Sequence, residues 1–225
     1  MKRLILSTAF VALGVGVMAQ GQHAAGHDPD KMAAGGGTLP AGWSARLDNG
    51  STTPTGVNVE QMGTGIHIKS GPAGIYFRTA DTFSGPTTVS AMFTQMEPAA
   101  HPEAYGVFIG GSDLQGANQK YTYFVIRQDG KFLIKRRAGT ATPTVTNWTE
   151  NAAINKADAS GKMTNTVAIK TDKEKAHFLV NGTEVGAVPI ADVDASGVAG
   201  IRVNHNLNVH IEGFTTTGTK TATQK

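Results

Sequence analysis

Tyrosine and arginine side chains are interleaved most densely in YTYFVIRQDGKFLIKRRA, residues 121–138. Asp129-Gly130 in its middle predicts a two-residue type I′ turn, because Gly takes positive φ without steric cost and Asp tolerates it. That turn would pair Gln128 with Lys131, Arg127 with Phe132, and Tyr123 with Arg136. Strand alternation would then put Tyr121, Tyr123, Val125, Arg127, Phe132, Ile134 and Arg136 on one face. Thr122, Phe124, Ile126, Gln128, Lys131, Leu133, Lys135 and Arg137 would share the other, which has an apolar centre and polar ends and suits a core. The first face combines rings that can stack with guanidinium forks that bind oxygen pairs. Tyr76 and Arg78 alternate in the same way in GIYFRT, opposite Ile75 and Phe77. The competing reading is a loop-covered outer sheet face with solvated arginines at its rim.

Other candidates are more scattered. QMEPAAHPEAYGVF places His101, Glu103 and Tyr105 beside two prolines, just before a strand. A stiff loop of this kind can carry an acid, a base or metal ligands, or be an ordinary turn with solvated charges. Trp148 lies in TPTVTNWTEN, which reads as a loop, and is either a stacking platform or loop packing. Trp43 reads as the anchor of the first strand. Asp192-x-Asp194-x-Ser196-Gly197 opens like a calcium loop, but Val203 stands where an EF-hand needs its bidentate Glu. No cofactor is evident, and calcium in another geometry stays open. His23 would complete an amino-terminal metal site only if cleavage fell after Gln20, whereas the small residues favour cleavage after Ala19. No nucleotide-binding glycine loop, zinc spacing or nucleophile elbow is present.

The elements that must position these residues are strands. From Trp43 to Thr217, short Val, Ile, Phe and Tyr runs alternate with polar residues and are punctuated by Gly, Asn, Asp and Pro. No window holds a useful helical period, and no internal repeat is visible. The expectation is an all-β fold, a two-sheet antiparallel β-sandwich of jelly-roll type. Asn181-Gly182 predicts a second type I′ hairpin, between KAHFLV and TEVGAV.

The 225 residues divide into four stretches. Residues 1–19 read as a signal peptide, with Lys2 and Arg3 ahead of an apolar run from Leu4 to Val17 that is too short to span a bilayer. Residues 20–42 read as a flexible linker, 43–217 as the sandwich, and 218–225 as a frayed tail. The expected location is secreted or periplasmic, with no transmembrane segment. Cysteine is absent, so stability must come from the core and the sheet ladders. Removing the signal leaves a nearly neutral chain, which argues against a nucleic-acid partner despite the pI of about 9.1.

GIYFRTADTFSG, EAYGVFIGG, YTYFVIRQDGKFLIKRR, KAHFLVNGTEV and GVAGIRVNHNLNVHIEGF, in this order, resemble the concanavalin A-like or laminin-G-like sandwiches of exported bacterial proteins. Within them the chain looks most like the branch named for 3-keto-disaccharide hydrolysis. The resemblance covers residues 43–217. It implies a jelly roll that meets a carbohydrate or cell-surface glycan on one sheet face, and related sandwiches often hold calcium. Lectins, adhesion modules and hydrolases share this fold, so binding, glycoside cleavage and assembly remain open as activities. The laminarinase-type branch carries E-x-D-x-x-E on one strand. That cluster is missing here, and with it the paired carboxylates of a retaining mechanism. The candidate ligand residues are Tyr76, Arg78, His101, Glu103, Tyr105, Tyr123, Arg127, Arg136 and Trp148.

Overall fold

The computed structural model describes residues 30–34 and 36–221. The signal peptide, His23, His27 and the last four residues of the tail lie outside them. Among the described residues thirteen strands run in chain order: β1 (Ser44–Leu47), β2 (Asn58–Met62), β3 (Gly65–Lys69), β4 (Gly74–Gln95), β5 (Ala104–Ser112), β6 (Lys120–Arg127), β7 (Lys131–Ala138), β8 (Thr144–Glu150), β9 (Met163–Thr171), β10 (Lys175–Val180), β11 (Thr183–Pro189), β12 (Gly197–Val203) and β13 (Asn208–Lys220). A single 3₁₀ turn, Ile190–Asp192, is the only helix among the described residues. No helix there is long and apolar enough to cross a membrane.

The 22-residue strand β4 belongs to two sheets. Its first part pairs with β1 and β12, and its second part with β9 and β13. Sheet one therefore runs β1-β4-β12-β5-β6-β7-β8, and sheet two runs β2-β3-β13-β4-β9-β10-β11. All pairings are antiparallel. This is the expected all-β two-sheet sandwich. The sequence reads as separate strands at 73–79 and 87–95; in the structure they are one, because the chain stays extended from Gly74 through Ala80–Pro86 to Gln95. At the C-terminus β13 continues to Lys220, three residues past the expected end, by pairing Gly218 with Thr87 and Lys220 with Phe83.

The core lies between the sheets. Tyr105, Val107 and Ile109 of β5 meet Phe124 and Ile126 of β6, Phe132 and Ile134 of β7, and Val167, Ile169 and Phe178 of sheet two. Each such side chain, fully withdrawn from water, contributes about 1.5–3 kcal/mol, which replaces the stapling that disulfides would supply.

The two hairpin turns behave differently. Val180 pairs with Thr183, and both Asn181 (φ 51°) and Gly182 (φ 81°) take positive φ, as a type I′ turn requires. At the other, Arg127 pairs with Lys131, so the loop is Gln128-Asp129-Gly130 and only Gly130 is left-handed. The two-residue turn expected there is therefore corrected to a three-residue one. The Asp129 carboxylate accepts both Nε and an Nη of Arg127, at 2.7 and 2.8 Å, and the Gly130 N–H closes the turn on the Arg127 carbonyl at 3.1 Å. One extra loop residue moves every partner on β7 by one and reverses its face. Tyr123 faces Lys135, Thr122 faces Arg136, and Tyr121 faces Arg137.

Candidate functional site

Sheet one is covered on both sides. Its inner face joins the core. Its outer face buries a second apolar layer: Ile75 and Phe77 from β4, Phe108 from β5, Tyr121, Tyr123 and Val125 from β6, and Leu133 from β7, with Trp148 of β8 packed alongside. Among the described residues no third layer lies over them. Their cover is the loop after β5, which sends in Leu114, and the long cationic side chains of the sheet itself. Gly200 permits this packing, because a Cβ there would stand 2.5 Å from the Phe108 ring.

Arg202 is the centre of this face. It projects outward from β12 in the same row as Ile75, Gly106 and Val125. Only 7% of it is exposed. Its two terminal nitrogens donate to the two oxygens of Asp48 at 2.6 Å each, and its Nε donates to Asn204 at 3.2 Å. Its guanidinium lies 5.6 Å from the Tyr123 ring. Burial opposes charge on both partners, but their attraction more than offsets it. Asp48 is held below the ordinary carboxylate range, chiefly by Arg202, with Arg137 and Arg46 adding to the effect, and Arg202 stays firmly protonated. Burial pushes the Tyr123 phenol up to about 12, so at neutral pH that ring carries an O–H donor and no charge.

At one end of the face a pocket of about 290 Å³ opens between Asp48, Glu103, Arg202, Asn204 and His205. One Glu103 oxygen lies 2.7 Å from His205 Nε2, and the other accepts from Asn204 Nδ2 at 3.3 Å. His205 Nδ1 lies 3.3 Å from Asp30. In the pairing scheme Arg127 stands opposite Ala104, whose carbonyl accepts from Asn204 N–H. Arg127 is thus two strands from Asn204, about 10 Å across the sheet. Its guanidinium lies over the Trp148 ring at 4.3 Å. The small side chain of Ala104, between them in the pairing, is buried in the same apolar layer.

The nine candidate residues divide accordingly. Glu103, Tyr123, Arg127 and Trp148 meet on or beside this face, with Tyr123 only 8% exposed. Trp148 is on a strand and not in the expected loop, because β8 pairs with β7. Tyr76 and Tyr105 turn the other way. Tyr105 stacks on Phe93 at 5.0 Å in the inter-sheet core, and Tyr76 is 1% exposed there. Burial raises both phenols far above their ordinary range. Arg136 also leaves the face, since the register reversal sends it to the core side of β7, where Asp194 grips it with two bonds of 3.0 Å. Arg78 stands at the far edge beside Trp43 and Phe214. His101 is exposed in the loop before β5. Asp194, one of the residues weighed for calcium, is committed to Arg136, and no cluster of three acidic, His or Cys residues fit for a metal occurs among the described residues.

Sequence reading missed Asp48, Arg202, Asn204 and His205. A signal existed for Arg202, a lone cation inside the apolar run GVAGIRV. In a strand buried on both faces, such a cation needs a buried partner.

A scan against protein-family models finds no match, and a search of curated proteins finds none. Solved structures do match. The carbohydrate-binding module CBM66 from Bacillus subtilis superposes with a TM-score of 0.57 at 12% identity, over 79% of this chain and 96% of that one. A protein of unknown function with a galectin-like fold, also from Bacillus subtilis, gives 0.53 at 12%, over 80% and 90%. The carbohydrate recognition domain of Emp46p, in its metal-free form, gives 0.52 at 7%, over 86% and 96%. At such identities the likeness shows the fold: a concanavalin A-like, galectin-like β-sandwich.

Proposed function

We propose that this chain is an exported carbohydrate- or glycoconjugate-binding module that acts in the periplasm or outside the cell. The observation that carries the proposal is the outer face of sheet one. It is an apolar layer with no third sheet above it among the described residues, and two guanidinium groups lie over two of its rings beside an open pocket. Sugars present apolar ring faces and clustered hydroxyls, which aromatic rings and fixed polar groups match. Two of the similar structures are named for carbohydrate binding or recognition, which supports the same use of this fold.

A glycan array followed by calorimetry on its best ligand tests this reading. Arg127→Ala and Trp148→Ala should each weaken binding by roughly 1–3 kcal/mol, the scale of a charged hydrogen bond or a stacking ring. Trp148→Ala also removes packing on the apolar layer and Arg127→Ala an ion pair with Asp129, so affinities are compared in variants whose melting curves show them folded at the assay temperature. Unchanged affinity in both variants would overturn the proposal.

The Glu103–His205 contact favours a second reading, glycoside cleavage of the 3-keto-disaccharide type. A carboxylate and an imidazole 2.7 Å apart in a pocket form an acid–base pair. Asp48 is a poor acid, because Arg202 keeps it ionised. Turnover of oxidised disaccharides that Glu103→Gln abolishes would establish this activity.

A further inference from the structure

A second crevice, of about 290 Å³, lies at the opposite rim, where β1 begins, between the β2–β3 turn, β13 and Arg78 in the first half of β4. It shares no residue with the Asp48–Arg202 pocket. Trp43 and Phe214 form an angled pair of rings, 5.2 Å between centroids and 57° between planes. The Arg78 guanidinium stands 5.3 Å from each ring. Ile211 floors the crevice, and Gln61 and Thr64 stand at its polar edge.

Arg78 is fixed in place. Its Nε donates to Asp81 Oδ2 at 2.6 Å, and Asp81 is itself buried, with Thr216 Oγ1 at 3.0 Å and Lys220 Nζ at 3.5 Å on its other oxygen. Two cations therefore surround one carboxylate, leaving a positive excess. The two terminal nitrogens of Arg78 meet no acceptor among the described residues. A guanidinium bonded through Nε presents its remaining edge as a parallel pair of donors, which matches the two oxygens of a carboxylate. Rings and aliphatic floor beside it lower the local dielectric and strengthen that contact.

We infer that the Trp43–Arg78–Phe214 crevice is a second binding site, for a six-membered sugar ring bearing a carboxylate, the uronic-acid class. The ring would lie against Trp43 and Phe214, its carboxylate on the free edge of Arg78, and its hydroxyls toward Gln61 and Thr64. The choice of a sugar rests on the carbohydrate-binding reading above. The preference for a carboxylate does not, since it follows from Arg78 and Asp81.

The test is calorimetry or NMR titration of the full chain with galacturonate, galactose and acetate. Galacturonate should bind at least about tenfold more tightly than galactose or acetate. Arg78→Gln should remove most of that difference, and Arg78→Lys, which keeps the charge but loses the fork, should restore only part of it. Lys170→Ala, on the exposed face of sheet two, should leave galacturonate binding unchanged. Galacturonate binding no tighter than galactose, or binding indifferent to Arg78→Gln in a variant that melts normally, would overturn the inference. Failure of the Arg127 and Trp148 variants on a neutral glycan would instead count against the first site alone.

Discussion

The two outer faces of the sandwich are built on different rules. In the middle of sheet two β9 and β10 alternate strictly: they bury every second residue and leave the others half-buried or exposed, so Thr164 and Lys170 are exposed beside Asn165 and Ile169. In the middle of sheet one the alternation disappears. β5 buries eight residues in succession, and β6 six. Continuous burial belongs to sheets covered on both sides, yet here the second cover is the sheet's own arginines and one loop. A purely structural wall needs only the first pattern. The second pattern costs an ion pair its hydration in order to keep rings and guanidinium groups fixed in one arrangement, as a binding face requires.

The sharpest way to break this contrast is to remove the cation at its centre. Arg202→Ala should cost roughly 2–3 kcal/mol, somewhat below a fully buried pair because Asp48 keeps 37% of its side chain exposed. Lys170→Ala on sheet two should stay within about 0.5 kcal/mol. Urea midpoints of the two variants compare them directly. The Asp48 part of the loss depends on pH. A carboxylate whose folded pKa is depressed stabilises the fold above its ordinary pKa of about 3.9, and that stabilisation fades as pH falls through the lowered value. The gap between wild type and Arg202→Ala should therefore narrow in acid. Equal costs for the two variants would mean that the faces do not differ.

A smaller effect sharpens the comparison from the side of sheet two. His177 lies between Asp172 at 3.0 Å and Glu184 at 2.8 Å, and these bonds raise its pKa. Hydrogen bonds from the Glu174 and Lys175 N–H groups, with that of His177, bring Asp172 down to about 2. The raised His177 stabilises below its ordinary pKa, and the contribution is lost as pH rises through the folded value. Asp172 acts oppositely, contributing above its ordinary pKa and losing the contribution as pH falls toward 2. NMR titration should place His177 above the usual 6.5 or so, and Asp172→Asn should return it part of the way. Because these groups are solvated, the global melting temperature should hardly move. A His177 pKa at or below the usual value would contradict the geometry.

Sheet two and the strand content were legible in the sequence because strict alternation and the Asn181-Gly182 turn carry their own register. The outer face of sheet one was only half legible. Tyr123, Arg127 and Trp148 could be picked out by residue type, but their neighbours depended on the length of one loop. Arg136 and Arg137 are adjacent, so a one-residue change at Gln128 exchanges them between faces. Asp48, Arg202 and His205 were beyond local reading. Asp48, just after β1, meets Arg202 of β12, and Glu103, in the loop before β5, meets Asn204 and His205; the partners are 101–154 residues apart in the chain, and no local pattern specifies such pairs.

The central claim is that the outer face of sheet one, at its Asp48–Arg202 end, is where glycan binds. Amide chemical-shift mapping of the labelled chain, titrated with the strongest ligand from a glycan array, tests it most directly. The largest perturbations should fall on Asp48, Glu103, Ala104, Arg127, Trp148 and Arg202, with Ser90, Thr94, Thr164 and Lys170 of sheet two unmoved. Shifts concentrated on sheet two, or spread without preference over both faces, would contradict it.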